Sequence, residues 1–124
     1  MAKIMIVEDE DDVRDMLLLL LTKEGYDTTA VTNGKEFLDH VDTIQPDLIT
    51  LDVMMPGMTT YEILKQLQTK TNHPKIILLT VVHYSNEEIQ RLAQISNVID
   101  YIPKPFNIRD LVDRIKTHLA EAPT

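Results

Sequence analysis

The stretch Leu48-Ile49-Thr50-Leu51-Asp52-Val53-Met54-Met55-Pro56-Gly57 decides the fold. Leu48, Ile49 and Leu51 give the near-continuous hydrophobicity of a strand buried in a parallel sheet. Pro56-Gly57 stops it. Asp52 is therefore expected at the carboxyl end of a central strand, the edge where open α/β sheets hold their ligands. An aspartate in that place can also do no more than cap the following turn. The stretch by itself leaves both readings open.

On its amino-terminal side, Ile4-Met5-Ile6-Val7 reads as a first strand that runs into five successive carboxylates, Glu8 to Asp12. A charge run is usually a solvated loop. This one lies between a buried-looking strand and a helix carrying Val13, Met16, Leu17, Leu20 and Leu21, so Asp11 or Asp12 is expected to cap that helix. Glu8 and Asp9 lie too early for capping. Gly25 ends the helix. Asp27 to Val31 is a weaker, more polar strand, expected at a sheet edge. Asn33 caps a second helix holding Phe37, Leu38, Val41 and Ile44, which Pro46 bars from continuing.

On the carboxyl-terminal side, Tyr61, Ile63, Leu64 and Leu67 mark a third helix. Lys75 to Val81 is a strand in which Thr80 is the first polar group after four aliphatic residues. Ser85 and Glu88 have the spacing of a capping box and open a helix with Ile89, Leu92 and Ile95. Val98 to Ile102 is a fifth strand, broken by Pro103-Lys104-Pro105-Phe106. Asn107 caps a last helix with Ile108, Leu111, Val112, Ile115 and Leu119. Five strands alternating with five helices imply an α/β fold, a doubly wound parallel sheet with helices on both faces. Residues 1–120 read as one domain, and 121–124 as a tail or the start of a linker.

Composition narrows the function. At 124 residues and 44% hydrophobic content the chain can bury one real core. A net charge of −8 argues against nucleic acid or an anionic membrane as the partner of this domain. With no cysteine, disulfides, thiol catalysis and thiolate metal sites are excluded. Met1-Ala2-Lys3 leads straight into a strand, so no signal peptide is expected. The longest apolar run, Met16 to Leu21, is far too short for a membrane span. These features together suggest the cytoplasm.

Four features fall at the carboxyl ends of four strands: Glu8-Asp9, Asp52, Thr80 and Lys104. Each alone has an ordinary structural reading. Together they place three acids, a hydroxyl and an ammonium on one rim of a parallel sheet. Crowded carboxylates raise one another's pKa, and a hard cation such as Mg²⁺ relieves this while keeping sites for water and phosphate oxygens. Asp52 can then act as a carboxylate nucleophile toward a phosphoryl group, with Thr80 and Lys104 offsetting the charge on its oxygens.

The segments Ile6-Val7-Glu8-Asp9-Glu10, Asp52-Val53-Met54-Met55-Pro56-Gly57-Met58, Leu79-Thr80 and Tyr101-Ile102-Pro103-Lys104-Pro105-Phe106 resemble a response-regulator receiver domain, similar to the single-domain chemotaxis regulator. The resemblance implies a flavodoxin-like fold with strand order 2-1-3-4-5, the order that general accounts of this architecture give for a member of this family. It implies that Asp52 is the phosphoacceptor and Asp9 a direct metal ligand. Glu8 would act on the metal through water, and the Met54 backbone carbonyl would be the third protein ligand. Lys104 would contact the phosphoryl group, and Lys104-Pro105 resembles a peptide bond that is cis in the family. Thr80 and Tyr101 resemble a switch pair. The implied partners are a histidine kinase or phosphotransfer protein upstream and a protein partner or output domain downstream. The face of the fourth helix, fifth strand and last helix would serve that partner or a homodimer.

Three departures stand out. Thr59-Thr60 replaces a common Asp-Gly, and Val81 replaces a common Ala or Gly and is expected to crowd Asp52. Met54 and Val82 are apolar at positions that resemble those orienting the hydrolytic water, so a slow loss of the phosphoryl group is expected. Of the rival readings, a hydrolase with an aspartate nucleophile would want a second Asp at Met54. A nucleotide- or flavin-binding module would want a Gly- or Ser-rich loop where the five acids stand. An unphosphorylated adaptor would not need the acid, hydroxyl and lysine set.

Overall fold

The structure, a computed structural model, describes residues 2–81 and 84–120. The 121–124 tail and Val82 lie outside the described residues. The elements run β1 (Lys3–Val7), α1 (Asp11–Lys23), β2 (Asp27–Val31), α2 (Gly34–Ile44), β3 (Leu48–Asp52), α3 (Thr60–Leu67), β4 (Lys75–Thr80), α4 (Asn86–Ile95), β5 (Val98–Pro103) and α5 (Ile108–Ala120). All pairings are parallel, in the order β2-β1-β3-β4-β5. This is the doubly wound α/β fold expected.

Alternation along each strand sorts side chains between two cores. Met5, Val7, Ile49, Leu51, Ile76 and Leu78 pack under α2, α3 and α4. Ile4, Ile6, Leu48, Ile77, Leu79 and Ile102 pack under α1 and α5. All five residues of β3 are buried, as a strand covered on both faces requires. β2 is an edge strand, as its polarity suggested. β5 is the other edge, and a register shift opposite Ile76 and Ile77 bends its pairing with β4.

The helices differ in how firmly they seat. α3 buries Ile63, Leu64 and Leu67. α4 buries no residue fully; Ile89, Leu92 and Ile95 are only partly covered. Both open with a capping box, Thr59 with Glu62 and Ser85 with Glu88. Asn33 caps α2 and Asn107 accepts from Asp110 N–H at the start of α5, both as expected. Gly34, the first residue of α2, lets α3 approach so closely that a Cβ there would fall 2.5 Å from Ile63 Cδ1.

Two expectations are corrected. α1 is not capped by Asp11 or Asp12: the cap position is Glu10, with no side-chain bond, and both aspartates lie in the first turn. There Asp11 pairs with Arg14, and both acids face the positive end of the helix dipole. Tyr61 lies in α3 as expected, at the exposed amino-terminal turn, 54% accessible, with Lys65 Nζ 5.8 Å from its ring centroid. Val81 leaves the strand after Thr80 and is 58% exposed.

Candidate functional site

The loop leaving β1 is fixed before it offers any carboxylate. Glu8 N–H donates to Val31 O at 3.1 Å, tying the loop to the end of β2. Arg14, one turn into α1, reaches back and donates to the carbonyls of Glu8 (3.1 Å) and Asp9 (3.5 Å). Glu10 N–H donates to Glu8 Oε2 at 3.2 Å. Glu8 is thereby turned inward and fully buried, whereas the Asp9 carboxylate keeps contact with solvent.

β3 delivers Asp52 to the same rim. Val53 N–H donates to Leu79 O at 3.0 Å, and Met54 N–H donates to Asp52 Oδ1 at 3.1 Å, fixing the carboxylate's orientation. The loop then turns at Gly57, whose φ of +91° lies in the region that glycine adopts without strain. Thr59 accepts from Glu62 N–H at 3.1 Å and donates its own N–H to Glu62 Oε1 at 3.0 Å, starting α3. The Thr59-Thr60 departure thus builds a helix start. The threonine-x-x-glutamate spacing was a legible signal for it.

β5 brings in the cation. Lys104 N–H donates to Thr80 O at 2.7 Å, and the Lys104–Pro105 bond is cis. Lys104 Nζ lies 2.9 Å from Glu8 Oε1 and 3.3 Å from Asp52 Oδ2. Its side chain is 15% exposed, against 1% for Glu8 and 4% for Asp52. Sequence reasoning placed these groups on one rim but missed that Lys104 bridges the two buried acids.

The charges settle unequally. Burial, and then hydrogen bonding to Asp52, push the Glu8 carboxyl up to about 7. Burial also works against the Asp52 charge. Hydrogen bonds from Glu8 and from Met54 N–H, with the nearby Lys104 charge, outweigh it and hold Asp52 below the usual aspartate range. Lys104 loses by burial but gains more from Glu8 and Asp52, and its pKa is raised. Of the two buried acids, only Glu8 shows the elevation expected for crowding.

One oxygen each from Glu8, Asp9 and Asp52 lies within 4.8 Å of the others. This all-oxygen set, with no nitrogen or sulfur donor, suits a small hard cation that keeps several waters. The residues present fit Mg²⁺.

Thr80 is buried at the end of β4, facing Pro103 in the register. Tyr101 pairs with Leu78, two residues earlier, so Thr80 and Tyr101 share one face of the sheet a diagonal step apart. The Tyr101 hydroxyl donates to Tyr84 O at 3.3 Å, and the two rings meet edge to face with centroids 6.1 Å apart. On the same strand Asp100 is held by Arg114 (3.1 Å) and His118 (3.1 Å) of α5, a network that pattern reading did not find.

The chain matches a family model described as response regulator receiver domain over residues 4–116. It is 36% identical over 120 residues to the sensory transduction protein RegX3 of Mycobacterium tuberculosis, covering 96% of this chain and 51% of that protein. The chain thus spans about half the length of the curated relatives it matches. Among solved structures it resembles the response regulator protein TrrA of Thermotoga maritima in complex with Mg(2+)-BeF, with a TM-score of 0.76, 32% identity, and 94% and 98% of the two chains covered. It also matches a chain of the complex between histidine kinase ThkA and TrrA, with a TM-score of 0.79, 31% identity, and 97% and 100% coverage.

Proposed function

The chain belongs to the response regulator receiver domain family, and on that premise we propose that it is a phosphoacceptor signalling switch with Asp52 as the acceptor. The observation that carries this reading is the buried Glu8–Lys104–Asp52 bridge with Asp9 alongside. An Asp52 oxygen attacks the phosphorus of a phosphohistidine on a histidine kinase or phosphotransfer protein. The P–O bond forms, the P–N bond breaks, and the imidazole leaves with the electron pair and takes a proton from solvent.

Met54 N–H holds Asp52 Oδ1, and Oδ2, which lies 3.3 Å from Lys104 Nζ, is the oxygen that attacks. Lys104, already 3.3 Å from Asp52, offsets charge on the transferred oxygens. Asp9, Asp52 and the Met54 carbonyl would hold Mg²⁺, with Glu8 acting through water. When bound, the ion supplies further charge neutralisation at the phosphoryl oxygens. The domain catalyses only its own phosphorylation and dephosphorylation.

The phosphoryl group adds up to two negative charges and three acceptor oxygens beside Thr80. Thr80 moves toward it, and Tyr101 follows across their shared face, releasing its bond to Tyr84 O. The readout is the surface of α4, β5 and α5, which meets a downstream protein, an output domain or a second copy. Residues 1–120 form the receiver unit, acting in the cytoplasm without contacting nucleic acid or membrane itself. Among the described residues no helix is long and apolar enough to cross a membrane.

The test is mass spectrometry after incubation with Mg²⁺ and acetyl phosphate. A single phosphoryl adduct, lost in Asp52→Asn, is expected. An adduct that persists in Asp52→Asn would overturn the assignment.

A further inference from the structure

A cleft of about 920 Å³ opens between the β3–α3 loop and α4, on the side of the sheet away from α1 and α5. Its size lies within the range of small-molecule sites, roughly 300–1,000 Å³. Met54, Met55 and Tyr61 form one wall. The other is a stripe of α4, Glu88, Leu92 and Ile95, that repeats at helical spacing behind Tyr84.

Each wall has local anchors. The Thr59 capping box and the Thr60 hydroxyl, 3.5 Å from Val53 O, hold the loop side. Tyr84 is braced from behind by the ring and hydroxyl of Tyr101. The far end of α4 is tied to α3 by Gln68, which donates to Ile95 O.

Two charges line this cleft. Glu88 is committed to the Ser85 N–H at 3.1 Å. Arg91 is not comparably engaged: its ion pair with Glu87 stretches to 3.9 Å, with both side chains mostly exposed. Arg91 lines the exposed rim of the cleft, its guanidinium only loosely paired with Glu87, and a guanidinium at the mouth of an apolar cleft suits a carboxylate on an apolar body. The acids Glu87 and Glu88 flanking Arg91 disfavour more highly charged anions such as phosphates. We infer that this cleft binds an apolar monocarboxylate, its aromatic or aliphatic body between the methionines and Leu92 and its carboxylate on Arg91. This inference stands on the cleft alone and is independent of phosphotransfer to Asp52.

The test uses methionine methyl NMR in metal-free buffer, with 2-naphthoate as probe and neutral 2-naphthalenemethanol as control. The Met54 and Met55 methyls should shift saturably, while Met5, buried in the core, stays unmoved. Half-saturation is expected near 1 mM, about what a ligand of this size achieves. The alcohol should bind about tenfold more weakly, the difference that a single charge-assisted contact makes. Arg91→Gln, a change at an exposed position that keeps the fold, should remove that difference. No saturable shift at Met54 and Met55, equal binding of acid and alcohol, or an unchanged preference in Arg91→Gln would each overturn the inference.

Discussion

With divalent cations chelated, the protein should become more stable as pH falls from about 8 to about 5.5, and Glu8 should be the cause. Its carboxyl is raised from the usual 4.5 to about 7 in the folded chain. Between those values the folded state holds more protons than the unfolded state. Stability is therefore fully present below 4.5 and lost as pH rises through about 7. The whole shift corresponds to about 3 kcal/mol, of which roughly 2 falls between about pH 8 and 5.5. Lys104, Asp52 and the Glu10 N–H face Glu8. Asp52, held below the aspartate range, is ionised throughout that window. The measurement is taken as a difference between two proteins, so that groups other than Glu8 cancel. Urea unfolding in chelator at the two pH values, for the parent and for Glu8→Gln, isolates the Glu8 share. The parent's midpoint should move by about 1 M more than the variant's, taking about 2 kcal/mol per M for the denaturant slope. Equal movement in both proteins would mean that Glu8 stays ionised beside Lys104, and the reasoning would fail.

Mg²⁺ should raise the melting temperature of the parent by mass action, and Asp9→Ala or Asp52→Ala should each cancel that gain in thermal melts. Thr59→Ala should cost about 1 kcal/mol in chemical unfolding, because it removes the acceptor for Glu62 N–H at the start of α3. Met54→Asn should speed loss of phosphoryl label in excess Mg²⁺ by about tenfold, below the roughly 10² to 10⁴ of a positioned general base, because an amide can hold water where the thioether cannot. Val81→Ala should speed labelling by acetyl phosphate; an unchanged rate would show that the exposed Val81 does not obstruct Asp52.

The sheet was legible because β1, β3 and β4 are short apolar runs, and burial on both faces leaves few other assignments for Ile49 or Ile77. The rim was legible for the same reason: in a parallel sheet every strand's last residue shares one edge, so Asp52, Thr80 and Lys104 had to meet. The contacts within the rim were not. Whether Lys104 bridges Glu8 and Asp52 depends on the path of the β5–α5 loop, which no periodicity encodes. Arg14 was missed because it lies on a helix face that pattern reading assigns to solvent, though its guanidinium returns to the carbonyls of Glu8 and Asp9. Tyr61 was placed in α3 correctly, but helical spacing does not say where the core ends, so its exposure was not legible.

α4 is fastened at both ends, by its capping box and by Gln68, yet buries none of its own side chains fully. α3 buries three. At about 1.5–3 kcal/mol for each fully buried aliphatic side chain, the two helices differ by several kcal/mol in what holds them down. α4 should therefore form its own weakly protected opening unit, with amides exchanging well before those of β3 or α3. A charge placed on Asp52 has little freedom to displace β3, whose five residues are all buried. Among the described helices α4 alone buries no side chain fully, so its packing offers the least resistance to a displacement.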